Sequence, residues 1–238
     1  MKKVLVTGGN SGIGFATAKL LKQKGYHVTI CGRDANRVKK AADELAVDFL
    51  VADISKAEDV ETLASYFTEG IDALVNNAAI ARFMPISEHT LDDYDDFFHT
   101  NIRGPLYMIQ KLLPALRKSK GAVTSVSSII TTNGLPNASL YASTKGAIDA
   151  FTRSLAIELA SDNIRINAVS PGAVDTPILT KLGISEEVYQ TIKSKQEELI
   201  PMQRYGLAEE IAEVIMAQLE SSYVTGSVWT VDGGVNAS

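Results

Sequence analysis

A short apolar run, Val4-Leu5-Val6, breaks into Thr7-Gly8-Gly9-Asn10-Ser11-Gly12-Ile13-Gly14, after which Ile13, Ala16, Leu20 and Leu21 recur at helical spacing. A strand that feeds a glycine-rich turn and then a helix is the strongest constraint in this chain. A phosphate carrier needs close backbone approach, free N–H donors at a helix start and no Cβ in the way, and Gly8, Gly12 and Gly14 supply these. The bland alternative is a tight strand–helix turn without a ligand. The strand before and the helix after favour dinucleotide binding.

The pattern repeats along the chain. Strand signals follow at Val28–Ile30, Asp48–Val51, Ile71–Val75, Ala122–Val126, Ile164–Val169 and Ser227–Val231. Helical patterns lie near 35–46, 57–68, 91–117, 140–160 and 208–220; in the last, Ile211, Val214, Ile215 and Leu219 form one stripe. Continuous apolar strands alternating with helices predict a parallel sheet covered on both faces, with ligands beyond the carboxyl ends of the strands. The 238 residues contain no repeat, low-complexity tract or linker, so one doubly wound α/β domain with seven strands is expected over 1–238.

The spacing TGxxxGxG, together with later landmarks in order from Thr7 to Gly234, resembles the short-chain dehydrogenase/reductase family. Asn76-Asn77-Ala78-Ala79 resembles that family's NNAG segment, with Ala79 replacing the glycine. The resemblance implies a nicotinamide cofactor held by Gly8, Asn10, Ser11, Gly12, Ile13 and Gly14 at the turn, and by Asp53 and Ile54 beside the adenine. Asn77 and Ala78 follow the fourth strand, and Pro171, Gly172, Val174 and Thr176, in a segment resembling PGxxxT, would fix the carboxamide. At the end of the second strand, the ribose-reading position is Gly32 and the next residue is Arg33. An arginine there meets a 2′-phosphate with charge-assisted bonds, so NADP(H) is favoured over NAD(H), with Asp34 the alternative partner for a free ribose.

Tyr141 and Lys145 are four apart on an apparent helix and share a face. A free phenol has a pKa of about 10. An ammonium at ~4 Å contributes up to ~4 kcal/mol at an effective dielectric near 20. That is about three pKa units, enough to bring a phenol near 7. Alone, the pair is a common helical motif. With Ser128 thirteen residues upstream it resembles the family's catalytic set: Ser128 bonds the substrate oxygen, Tyr141 transfers the proton, and Lys145 also holds the nicotinamide ribose. Asn101 is the fourth member by resemblance. Pro105 lacks the N–H that would bond the Asn101 carbonyl in an α-helix, which frees that carbonyl for a water relay to Lys145.

Other features limit the function. A formal net charge of −5 argues against nucleic acid or anionic membrane as partners, and no apolar run reaches a span. The opening Met1-Lys2-Lys3-Val4-Leu5-Val6 stops short of a signal sequence, so a cytoplasmic location is expected. Cys31 alone excludes a disulfide framework, and His27, His89 and His99 lack ligand spacing, so no metal is expected. Asp92, Asp93, Asp95 and Asp96 read as the solvated first turns of a helix capped by Thr90; Arg82 and Phe83 would line the pocket mouth. The stretch 177–205 reads as a substrate lid, with Ile178, Leu179, Leu182, Ile184, Tyr189, Leu199, Ile200 and Met202 as apolar lining alongside Ile129, Ile130 and Leu135.

The activity implied is hydride transfer between nicotinamide and a small carbonyl or secondary alcohol. A 3-oxoacyl thioester is one substrate; Lys118 and Lys120 suit a carrier-docking face, while Ser119 and Asp162 weaken it. A homo-oligomer, tetramer or dimer, follows from resemblance. The alternatives are a non-catalytic NADP(H)-sensing protein and an interaction scaffold.

Overall fold

The computed structural model describes residues 1–176 and 186–237. Seven strands, β1 (Lys3–Thr7), β2 (His27–Gly32), β3 (Asp48–Val51), β4 (Ala73–Asn76), β5 (Ala122–Val126), β6 (Arg165–Pro171) and β7 (Val228–Val231), form one parallel sheet in the order β3-β2-β1-β4-β5-β6-β7. The helices are α1 (Gly12–Gln23), α2 (Ala35–Leu45), α3 (Ala57–Ser65), α4 (Leu91–Phe98), α5 (Gly104–Ser119), α6 (Ser139–Glu158), α7 (Glu186–Glu197) and α8 (Ala208–Glu220).

The central strands are apolar on both faces because both are covered. Val4 and Val6 of β1 join a core with α1, α2 and α8, which contribute Leu21, Val38 and Ile215. Leu5 between them points the other way, into a core with Leu63 of α3, Leu112 of α5 and Ala156 of α6. This is the doubly wound arrangement expected from strand–helix alternation. The connections reverse direction between β1 and β4, and the crevice beyond their carboxyl ends is where such sheets hold ligands.

Two expectations need correction. The 91–117 segment is not one α-helix: a π turn, His99–Arg103, separates α4 from α5, with Gly104 N–H reaching back to the His99 carbonyl. Pro105 cannot donate, and the wider turn immediately before it absorbs the break in the ladder. The fourth strand starts at Ala73, not Ile71.

The stretch 177–205 contains α7, which the apolar pattern did not reveal. Ile178, Leu179, Leu182 and Ile184 lie outside the described residues, as does the side chain of Tyr189. Ile200 is buried, whereas Leu199 and Met202 are exposed. Among the described residues, no helix is long and apolar enough to cross a membrane.

Candidate active site

The glycine turn is built by polar stitches as much as by glycine. Thr7 ends β1, and its Oγ1 accepts from the N–H groups of Asn77 (3.0 Å) and Ala78 (3.1 Å). Asn77 Nδ2 donates back to the carbonyls of Thr7 (2.9 Å) and Gly8 (3.2 Å), so the segment after β4 is sewn to the turn after β1. Gly8 has φ +63°, where a side chain is strained. At Gly14 an added Cβ would lie 2.4 Å from both Asn77 Nδ2 and the Gly8 carbonyl. Gly14→Ala therefore has no room. It is expected to cost about 1–3 kcal/mol of stability and to weaken cofactor binding at least tenfold, checked by thermal melts and fluorescence titration.

These stitches hold open a cleft of about 360 Å³. Of the residues singled out from sequence, Gly8, Asn10, Ser11, Gly12, Ile13, Arg33, Asp53, Ile54, Asn77, Ala78 and Thr176 line it. Helix α1 begins here without a side-chain cap on its N–H groups and without an acidic residue in its first turn, which suits a diphosphate. Gly14 lies beneath the turn rather than on its surface. Pro171, Gly172 and Val174 are not in the lining: Pro171 ends β6, a Cβ on Gly172 would meet Asp232, and Val174 is buried and bridged to Gly206.

Arg37 also lines the cleft, and sequence reasoning passed over it. It follows Arg33 by four residues across the start of α2, and that spacing was the available signal. Asp34 caps α2 by accepting from Arg37 N–H at 3.0 Å, so one of its oxygens serves the helix rather than a ribose. Asp53 is similarly engaged, accepting from Ser55 N–H (3.0 Å) and Ser55 Oγ (2.7 Å). Ile80 and Thr100 complete the wall toward α6.

Ser128, Tyr141, Lys145 and Asn101 are not in the lining of this cleft; α6, the π turn and the segment after β5 bring them together. Ser128 follows β5 and accepts from Ile130 N–H at 3.3 Å. Lys145 is only 2% exposed; its Nζ donates to the Val126 carbonyl at 2.7 Å and lies 5.6 Å from the Tyr141 ring centre. The Asn101 amide is fully committed: Oδ1 accepts from Ile80 N–H (2.9 Å), and Nδ2 donates to the Ile80 carbonyl (2.9 Å) and Thr144 Oγ1 (3.1 Å). Thr144 donates in turn to the Tyr141 carbonyl at 2.8 Å. Asn101 therefore ties the segment after β4 to α6. The neighbouring hydroxyls brace structure: Ser127 Oγ donates to the Lys145 carbonyl and Ser143 Oγ to the Ser139 carbonyl.

The electrostatics correct the sequence arithmetic. Burial pushes the Tyr141 phenol up to about 12, and the Ser128 hydroxyl acts in the opposite direction. Burial pushes Lys145 down to about 8, with Asp149 opposing it. The arithmetic counted the attraction between phenolate and ammonium and left out the desolvation of both. In the chain alone, desolvation wins at both residues. Burial also pushes Cys31 up to about 12, which makes it a poor nucleophile.

Arg82 is held by Asp93 and Asp96 and lies over the Phe97 ring at 5.8 Å, and Thr90 and Asp93 form a capping box. Phe83 meets the Tyr141 ring edge-on at 5.9 Å and walls the mouth of the site. No metal-binding cluster occurs among the described residues.

Known proteins match throughout. A family model described as enoyl-(acyl carrier protein) reductase matches residues 8–236. The 3-oxoacyl-(acyl-carrier-protein) reductase FabG of Chlamydia muridarum is 36% identical over 249 residues, spanning 98% of this chain and 97% of the relative. A tropinone reductase homolog of Arabidopsis thaliana is 34% identical over 246 residues, spanning 98% and 92%. The Pseudomonas aeruginosa RhlG/NADP active-site complex superposes with a TM-score of 0.90 at 28% identity, over 98% of this chain and 96% of that one. Fold, cleft and relatives together define an NAD(P)-dependent oxidoreductase acting on CH–OH or C=O groups. The chain belongs to the short-chain dehydrogenase/reductase family.

Proposed function

We propose that the protein reduces a small ketone to a secondary alcohol with NADPH, using Ser128, Tyr141, Lys145 and Asn101. The observation that carries this reading is a buried lysine beside a phenol under the influence of Ser128, in a chain whose cleft holds an uncapped helix N-terminus. Bound there, the nicotinamide cofactor supplies the hydride. Gly8, Asn10, Ser11, Gly12, Ile13 and Gly14 shape the diphosphate cradle, and Asp53, Ile54, Asn77 and Ala78 line the adenosine side. Thr176 lines the carboxamide side, with Pro171, Gly172 and Val174 setting the backbone that leads to it. Arg33 and Arg37, both exposed at the cleft rim, meet the 2′-phosphate.

On the substrate side, the Ser128 hydroxyl donates to the carbonyl oxygen as charge develops. Tyr141 delivers the proton to that oxygen, and the Lys145 ammonium stabilises the phenolate left behind. The Asn101 main-chain carbonyl, within the π turn, takes part in the proton resupply to Lys145. Ser128→Ala is expected to lower kcat by roughly 10²–10³-fold with little change in NADPH affinity. Ketone and acyl-thioester panels followed by NADPH absorbance supply the assay. No NADPH consumption with any carbonyl, despite tight cofactor binding, would favour a sensing role instead.

The relative named for acyl-carrier substrates supplies a second reading, a 3-oxoacyl thioester. An acidic carrier needs free basic residues near the mouth. Arg117 is paired with Asp162 at 2.8 Å and Lys118 donates to the Thr68 carbonyl at 2.7 Å, both near the start of β5 and away from Ser128. Lys120 is exposed at the same end of β5, so it is the distance of these residues from Ser128 that favours a free ketone. Exposed Leu91, Tyr94 and Phe98 on α4, with Ile157 on α6, support a homo-oligomer, for which a tetramer is the reading. A cytoplasmic location completes it.

A further inference from the structure

We propose that Asp149 is a positioning residue that keeps Lys145 protonated from one helical turn away, an inference that rests on the catalytic role given to Lys145 above. The two residues stand at i and i+4 on α6, with 2% and 8% of their surface exposed. At that spacing their Cβ atoms are about 5–6 Å apart. The lysine amine is anchored by a neutral carbonyl, that of Val126, which orients it without balancing its charge. Asp149 Oδ1 is buried and has no hydrogen-bond partner. A carboxylate kept for structural bonding would make those bonds. With Oδ1 unpaired, the carboxylate charge acts on Lys145 through space.

Among the described residues packed on α6, the other carboxylates are paired or exposed. β5 and the 3₁₀ turn Ile129–Thr131 carry no ionisable side chain, and in β6 Arg165 is bound to carbonyls at the end of α8. α4 carries Asp92, Asp93, Asp95 and Asp96, and the π turn carries His99 and Arg103. Arg82 holds Asp93 and Asp96, the Ser55 carbonyl takes Arg103, and Asp92 and Asp95 are exposed. Beyond α6, Asp162 is paired with Arg117. On α6 itself, Tyr141 lies one turn before Lys145, and Arg153 and Glu158, both exposed, lie beyond Asp149. Burial drives Lys145 toward its neutral form, and Asp149 acts against it.

The sign of the effect follows. Removing the negative charge makes the ammonium easier to deprotonate, so the pH at which Lys145 loses its proton falls. The test uses full-length chain labelled with ¹³Cε-lysine, the Lys145 resonance being assigned by its loss in Lys145→Arg. In Asp149→Asn the Lys145 titration is expected to move down by about one pH unit or more. The basic limb of the kcat profile moves with it, whereas Asp149→Glu keeps both near their original positions. An unmoved Lys145 titration in Asp149→Asn overturns the proposal, and so does a moved titration without a matching shift in kcat.

Should Asp149→Asn fail to fold, the double variant Lys145→Met/Asp149→Asn answers instead. Recovered folding is expected for a coupled pair, and its absence overturns the coupling. Retained turnover in Lys145→Met would refute the catalytic reading while leaving the lysine titration result intact, so the two failures are distinguishable.

Discussion

Tyr141→Phe lowers kcat by roughly 10²–10⁴-fold, the usual contribution of a positioned proton donor, while NADPH affinity stays within about threefold. Phenylalanine keeps the ring that meets Phe83 edge-on and removes only the hydroxyl. In the chain alone that hydroxyl is a weak acid, pushed up to about 12 by burial. In the proposed role, burial keeps the proton on the phenol until a substrate oxygen is ready to take it. The nearby Lys145 charge and the Ser128 hydroxyl stabilise the anion that results. Steady-state kinetics on the best ketone, paired with fluorescence titration, separates the two quantities. A kcat within threefold of wild type would remove Tyr141 from proton transfer.

The second large effect concerns cofactor choice. Arg33→Ala combined with Arg37→Ala is expected to weaken NADPH binding by roughly 100-fold or more, since a hydrogen bond to a charged group is worth about 1.5–3 kcal/mol. NADH affinity should change less than about threefold, because it has no 2′-phosphate to lose. Both guanidinium groups are exposed at the rim, so the titrations need one fixed ionic strength. Equal losses for the two cofactors would show that the arginines shape the cleft rather than read the phosphate.

Much of the fold was legible because apolar strand runs and helical stripes alternate cleanly. Val4-Leu5-Val6 could be read as buried on both faces, and its residues divide between the two cores. The interruption near Pro105 was legible as well, although its form, a π turn that splits the 91–117 segment, was not. Local pattern records that a donor is missing but not how the helix widens around it. Helix α7 carries no clear apolar stripe, so its sequence marks only part of a lid.

At the site, residue types were readable and environments were not. The Tyr141–Lys145 spacing gives proximity, whereas the burial that reverses the sign of the Tyr141 shift comes from tertiary packing. Asn101 illustrates the same divide. Its main-chain carbonyl could be singled out from Pro105, but the three hydrogen bonds of its side chain join segments far apart in sequence. Arg37 was missed because a surface arginine in a helix's first turn looks ordinary until the cleft beside it is seen.

The proposed catalysis depends on a phenol that becomes a usable acid only when the site is complete. Tyrosinate absorbance, taken as wild type minus Tyr141→Phe and titrated with and without NADP⁺, measures that change. The prediction is a phenol near 12 in the chain alone, falling by about two units or more once the oxidised cofactor adds its positive charge. A phenol that stays near its starting value with NADP⁺ bound would contradict the account.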